Sequence, residues 1–267
     1  MSKPVFIFIH GAWHRSSCFD QVRDLLKTEH GITSRTITNP STSGDVNIGF
    51  KDDVGNARDV ITNDLGKGHD VIVVAHSYGG FVGSSAIKGL TQSRASKRPD
   101  EGNNASSTHG HVIGLFLITS FLFPSGRAFM DNFPAVPLVW WVNNTTSGFA
   151  ELLGSSSEKI ETFYHDLPPD VAESFVGQLM PQTLKSFYED GDVAYAGWMD
   201  VPTWYVAATQ DHTGPVAFQR GMVDEAIKAG ADVTSRELDT GHSPFLSQPE
   251  ELVQLIVAAG NEFGSGK

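Results

Sequence analysis

The sequence predicts an α/β fold built around a mostly parallel sheet. Two features carry that prediction. Four short runs are continuously apolar, as strands covered on both faces are: Pro4–Ile9 (PVFIFI), Val71–Ala75 (VIVVA), Val112–Ile118 (VIGLFLI) and Thr203–Ala207 (TWYVA). Amphipathic stretches of helical length lie between them, and strand alternating with helix calls for crossover connections, which leave neighbouring strands parallel.

In chain order, Pro4–Ile9 is the first strand and Cys18–Glu29 the first helix. Thr33–Ile37 is a weaker, more polar strand, and Lys51–Leu65 is the helix after it. Val71–Ala75 follows as a buried strand. Gln92–His111 is polar almost throughout and is expected as a surface loop. Val112–Ile118 is the next strand. Phe123–Trp198 then breaks the rhythm: it has no strong strand run, is rich in aromatics and prolines, and suggests several short helices. Between two strand ends of an open sheet, such a segment is expected to cover the ligand crevice. The alternation resumes with strand Thr203–Ala207, helix Val216–Ala229, strand Val233–Leu238 and helix Pro249–Ala259. The expected division is a core over 1–122 and 199–267, with a helical cap over 123–198.

Composition removes several function classes. Nineteen Lys and Arg against 31 Asp and Glu leave a net charge of −12. Such a chain repels polyanions and anionic lipid, which argues against nucleic-acid binding and a basic membrane-surface role. Cys18 is the single cysteine, so an intrachain disulfide and a zinc site of several thiolates are both ruled out. The five-residue apolar run in MSKPVFIFIH is too short for a secretory or membrane segment, so a cytoplasmic protein is expected.

The most informative stretch is VIVVAHSYGG, a buried strand running through a small-residue turn into a helix. Ala75-x-Ser77-x-Gly79 is a variant of the G-x-S-x-G nucleophile elbow. The turn is sharp, so the neighbours two before and two after must be small. Ser77 then projects above the sheet edge, with the amides of the following helix aimed at the same place. An attacked carbonyl becomes an oxyanion that needs fixed donors. The amide of Tyr78 is one candidate, and that of Ala12, in the His10-Gly11-Ala12-Trp13-His14 loop after the first strand, is the other. A serine also needs a base, and the base an orienting carboxylate. Asp211 follows the strand Thr203–Ala207, and His242 lies on the loop before the last helix. The chain order Ser77, Asp211, His242 fits. Asp239 and His212 are weaker competitors. His10 is expected to brace its own loop, and His76 to point beneath the elbow.

HGAWH, AHSYGG, the strand-end Asp211 and GHSPFLSQPEEL together resemble the α/β-hydrolase superfamily. Within it they resemble the small esterase/hydroxynitrile-lyase-type branch, which includes plant methyl esterases and fungal and bacterial hydrolases. The resemblance runs from Pro4 to Ala259. It implies an open, mostly parallel sheet of about eight strands, helices on both faces and an inserted helical cap. It also implies no cofactor, no metal, and hydrolysis of a carboxylic ester, thioester or lactone. By matching position Ser77 is the nucleophile, His242 the base then acid, Asp211 its partner, and Ala12 and Tyr78 the oxyanion donors. Plant hydroxynitrile lyases carry a lysine just after the catalytic histidine; Ser243 stands there, which argues against cyanohydrin chemistry. The same triad also permits C–C cleavage, decarboxylation, lyase or cyclase chemistry on a polyketide-like metabolite. A receptor that has lost turnover is the third reading. Trp13, His14, Phe19, Phe123, Trp140, Trp141 and Trp198 are the candidate pocket walls and suggest a small hydrophobic or aromatic substrate. Trp140–Trp141 is alternatively a homodimer patch.

Overall fold

The computed structural model describes residues 3–92, 109–133 and 141–265. Most of the polar stretch expected as a surface loop, and Trp140, lie outside the described residues. The main sheet contains β1 (Val5–Ile9), β2 (Ser34–Ile37), β3 (Val71–His76), β4 (Val112–Ile118), β7 (Thr203–Ala208) and β8 (Val233–Leu238). A separate antiparallel hairpin pairs β5 (Trp141–Asn144) with β6 (Phe149–Leu152). The main sheet runs β2-β1-β3-β4-β7-β8, and each of its pairings is parallel. Among the described residues it has six strands, where the resemblance implied about eight. The reason is visible in the chain: six strand runs were legible, and each became one of the six.

The continuous apolar runs are explained by burial on both faces. Val5, Ile7 and Ile9 of β1 enter one core layer, while Phe6 and Phe8 enter the other. β3 divides the same way, with Val71, Val73 and Ala75 opposite Ile72 and Val74, as the period-two alternation of a strand requires. On the second face α1 (Asp20–His30) packs beside α9 (Pro249–Gly264). α9 starts with Pro249 followed by Glu250 and Glu251, a start suited to the orphan amides and positive end of a helix. The first face carries α2 (Phe50–Gly66), α3 (Tyr78–Ala86) and α7 (Val216–Lys228). Among the described residues, no helix is long and apolar enough to cross a membrane.

The connection after β1 leads to α1 on one face, and that after β3 leads to α3 on the other. Adjacent parallel strands whose connections part to opposite faces open a crevice at their carboxyl ends. The Gly11 and Ser77 turns flank that crevice.

Between β4 and β7 the chain forms the β5–β6 hairpin, α4 (Ser156–Phe163), α5 (Pro169–Val176) and the single turn α6 (Lys185–Tyr188), with short 3-10 turns. The short helices match expectation; the hairpin was not anticipated. Its strands, WVNN and FAEL, are four residues each and too mixed in polarity for a periodicity signal. The segment is sewn to the core by backbone bonds from Met180 N to Trp13 O (2.7 Å) and Thr183 N to Ser41 O (3.2 Å). One further turn, α8 (Pro244–Ser247), precedes α9.

Candidate active site

Ser77 stands between β3 and α3 with φ 49° and ψ −127°. A non-glycine residue in that region is strained and persists only where its surroundings fix it. The Ser77 amide donates to Ile118 O (3.0 Å), while its carbonyl accepts from Gly80 N (2.9 Å) and the Ser120 hydroxyl (2.7 Å). The glycine two residues on is dictated by crowding. A Cβ on Gly79 would lie 2.5 Å from the carbonyl oxygens of both Ile9 and His10. The Gly11 loop lies as close: a Cβ there would be 2.8 Å from His76 Nδ1 and 3.0 Å from Ser77 Cβ. The two loops expected to hold the oxyanion donors are thus in contact at Ser77. As the first residue of α3, Tyr78 has one of the amides a helix leaves without an internal acceptor.

Asp211 and His242 meet directly. His242 Nδ1 is 2.9 Å from Asp211 Oδ2, and both residues are buried. The other carboxylate oxygen accepts from Thr213 N (2.7 Å), the Thr213 hydroxyl (2.9 Å) and Gly214 N (3.1 Å). The Gln219 side-chain amide donates to Oδ2 (3.1 Å). Burial alone would raise the Asp211 pKa, but the charge and hydrogen bond of His242 and the Thr213 and Gly214 amides hold it below the usual carboxylate range. An ionised Asp211 orients His242 with Nδ1 protonated, so Nε2 is the basic nitrogen. Thr213 Oγ1 also lies 2.8 Å from His242 Nδ1.

His76, the neighbour of Ser77, donates from Nε2 to the His242 carbonyl (3.0 Å), and the Thr119 hydroxyl reaches the same oxygen (3.2 Å). The His76 and His242 ring centres are 4.6 Å apart. The end of β3 and the His242 loop are therefore in contact, so the three residues expected as nucleophile, base and acid share one edge of the sheet. The competitors fall away. Asp239 braces the Thr209 and Gln210 side chains, and His212 donates to the Glu161 carbonyl (2.8 Å). His10 donates from Nδ1 to Gly11 O (2.8 Å) and accepts from Asn39 N (3.0 Å).

The expected pocket residues divide. Trp13 is buried, 5.7 Å ring to ring from Trp141 and 6.3 Å from Phe163. Phe163 in turn lies 6.0 Å from His242. Trp141 is buried as well, so its ring is not offered as a surface patch. His14 donates from Nδ1 to Ala12 O (2.7 Å) and accepts from the Tyr164 hydroxyl (3.0 Å). Burial lowers its pKa to about 3, keeping it neutral. Phe123 packs against Phe81 of α3. Two assignments are corrected. Phe19 lies in the layer under α1 and α9, tilted against Phe8 and Phe245, because the chain turns to that face directly after His14. Trp198 braces the far end of α3: its amide donates to Ser84 Oγ (3.3 Å) and its indole to Phe123 O (3.0 Å).

Several residues at the site gave no signal in the sequence. Thr213 and Gln219 clamp Asp211. Asp166, just past α4, accepts from Gly241 N (2.7 Å) and the Thr240 hydroxyl (2.6 Å), so it holds the His242 loop. Asp53 accepts from the Tyr78 hydroxyl (2.7 Å). The capacity of a polar residue to brace a distant loop has no local pattern. A surface groove of about 570 Å3, lined by Asn143, Ser147, Lys185 and Tyr188 among others, lies apart from these residues.

The profile of the alpha/beta hydrolase family matches residues 6–255. The alpha/beta hydrolase nvfD of Aspergillus novofumigatus is 25% identical over 264 residues, covering 98% of both chains. The crystal structure of a pyrethroid hydrolase from Sphingobium faniae JZ-2 superposes with a TM-score of 0.70 at 22% identity, over 97% of this chain and 98% of the other. That of polyneuridine aldehyde esterase gives 0.71 at 16% identity, over 97% and 99%. At those identities the two structures speak for the fold. With the match to the family profile across nearly its whole length, the chain belongs to the alpha/beta hydrolase family.

Proposed function

We propose that the protein is a serine hydrolase acting on a small hydrophobic or aromatic carboxylic ester or lactone. The observation that carries this reading is the buried Asp211–His242 pair beside a strained serine at a strand-to-helix turn. Ser77 is the nucleophile. His242 Nε2 takes the Ser77 proton as Oγ bonds to the substrate carbonyl carbon. The amides of Ala12 and Tyr78 receive the oxyanion; losing one such donor costs about 10²–10³-fold in turnover in comparable sites. The imidazolium, stabilised by Asp211, returns its proton to the departing alkoxide as the C–O bond breaks. Water then attacks the acyl-enzyme by the same route, releasing the acid and restoring Ser77.

The insertion over 123–198 is read as a cap. It places Phe163 against His242 and Trp141 against Trp13, which favours apolar groups near the reacting carbonyl. The pyrethroid hydrolase and polyneuridine aldehyde esterase likenesses are compatible with an ester substrate.

The test is fluorophosphonate labelling with turnover of short- and medium-chain p-nitrophenyl esters. Wild type should be labelled at Ser77 and hydrolyse the esters, and Ser77→Ala should lose labelling together with at least about 10³-fold of the turnover. Ester turnover surviving in Ser77→Ala would defeat the proposal.

A further inference from the structure

We propose that Gln182, Ser41 and Asp53 are positioning residues that hold the two oxyanion amides, at Ala12 and Tyr78, in register with each other. The inference deepens the serine-hydrolase reading and rests on it.

One line of buried hydrogen bonds joins the two donor segments. It starts at Tyr78, the residue after Ser77, whose hydroxyl donates to Asp53 Oδ2 (2.7 Å). Asp53 is on α2 and is fully buried. It also accepts from the Ser41 amide (2.8 Å) and the Ser41 hydroxyl (2.6 Å). Ser41 Oγ in turn accepts from Gln182 Nε2 (2.8 Å), which also donates to Ser186 Oγ (2.6 Å). The line ends where Gln182 Oε1 accepts from the Trp13 amide (3.3 Å), one residue beyond Ala12. Three side chains from separate parts of the chain therefore connect the Tyr78 side chain to the residue that follows Ala12.

From both ends of the line the donors converge on the carboxylate. Gln182 gives to Ser41, while Ser41 and Tyr78 give to the carboxylate. A buried carboxylate held only by hydroxyl and amide donors is expensive, and burial pushes the Asp53 pKa up to about 6. What the carboxylate supplies is a fixed direction for Tyr78 and Ser41 together.

The far end bears on a strained residue. Trp13 has φ 60°, an unusual conformation for a bulky side chain. Gln182 holds its amide and Met180 N its carbonyl (2.7 Å). Without Gln182 Oε1, relaxation of Trp13 would turn the Ala12–Trp13 peptide and, through the Ala12 Cα, shift the Ala12 amide on its other side. A displacement of about 1 Å at a reacting centre costs on the order of 10²-fold.

The test compares wild type with Gln182→Met, which keeps length but removes the acceptor and donor, and with the milder Tyr78→Phe. For each, kcat and KM for a p-nitrophenyl ester are measured per fluorophosphonate-titrated site. The inhibition constant of an aryl trifluoromethyl ketone, whose adduct carries the oxyanion, is measured alongside. The expected result is a kcat lower by roughly 10–100-fold with KM changed less than about twofold. Inhibition by the ketone should weaken by the same factor as kcat/KM. A role in packing alone would lower Tm and leave kcat per titrated site and ketone affinity unchanged, which overturns the inference while the serine-hydrolase reading stands. If Gln182→Met does not fold, Tyr78→Phe decides by the same criteria. Absence of labelling and turnover in the wild type would remove the reading itself, and this inference with it.

Discussion

Three residues in left-handed backbone, Trp13, Ser77 and Thr119, follow the ends of β1, β3 and β4 at the same edge of the sheet. Backbone strain concentrated at one edge is characteristic of a site whose geometry is held against local preference. In the proposed mechanism the chemistry there turns on protonation. Asp211 carries five hydrogen bonds, from His242, Gln219, Gly214 and both donors of Thr213, and stays ionised through them. Its replacement by Asn keeps the shape but presents an amide where His242 needs an acceptor, which favours the wrong imidazole tautomer. Asp211→Asn is expected to lower kcat by about 10⁴-fold with KM little changed, measured by steady-state ester hydrolysis. A loss below tenfold would deny Asp211 the orienting role. His14 has both ring nitrogens satisfied, which leaves it none free to act as a base.

At the scale of elements, the end of α4 grips the loops that follow β7 and β8. His165 Nε2 donates to Gln210 O (2.8 Å), and His212, stacked on His165, donates to Glu161 O (2.8 Å). Asp166 ties down Thr240 and Gly241 beside His242. Burial would raise the Asp166 pKa, but those two bonds keep it depressed. Asp166→Ala is expected to lose about 1–3 kcal/mol of stability in urea unfolding, since it leaves the Gly241 amide without its acceptor and the Thr240 hydroxyl with Ser247 Oγ alone. Turnover should fall roughly tenfold as the His242 loop loosens, and Asp166→Asn should restore much of it by keeping one acceptor oxygen. Equal turnover in both variants and wild type would show that the loop does not need this brace.

At the scale of the whole molecule, buried ionisable groups set the response to acid. Burial lowers the pKa of His10 to about 4, of His14 to about 3, and of His76 well below its ordinary value. All three remain neutral in the native state while the unfolded chain protonates them below pH ~6.5, so their stabilisation is lost as pH falls from there toward 4. Asp53 acts in the opposite sense: its pKa of about 6 lies above the unfolded value, so it favours the folded state as pH falls below 6. Near pH 5, three histidines against one aspartate leave the unfolded chain about two protons richer. Stability should then decline by about 3 kcal/mol per pH unit. Urea midpoints at pH 7, 6 and 5 check this. Asp53→Asn removes the opposing group and should steepen the decline to about 4 kcal/mol per unit. A flat profile between pH 6 and 5 would contradict the neutrality of the three histidines.

What the sequence determined by itself was whatever local pattern encodes. Six strand runs, the flanking helices, and motifs ending β1, β3 and β7 were legible because burial on both faces demands continuous apolar residues and a tight turn demands small ones. The meeting of Asp211 with His242 could be anticipated from chain order, since parallel strands bring their carboxyl ends to one edge. Tertiary structure alone decided the rest. It put Phe19 on the far face, set Trp198 at the wrong end of α3 for a pocket, and formed the β5–β6 hairpin from strands too short for a period. It also brought Ser41, Asp53 and Gln182 into one buried line. Each of those outcomes depends on partners far apart in the chain, and a single polar residue carries no local sign of which distant group will satisfy it.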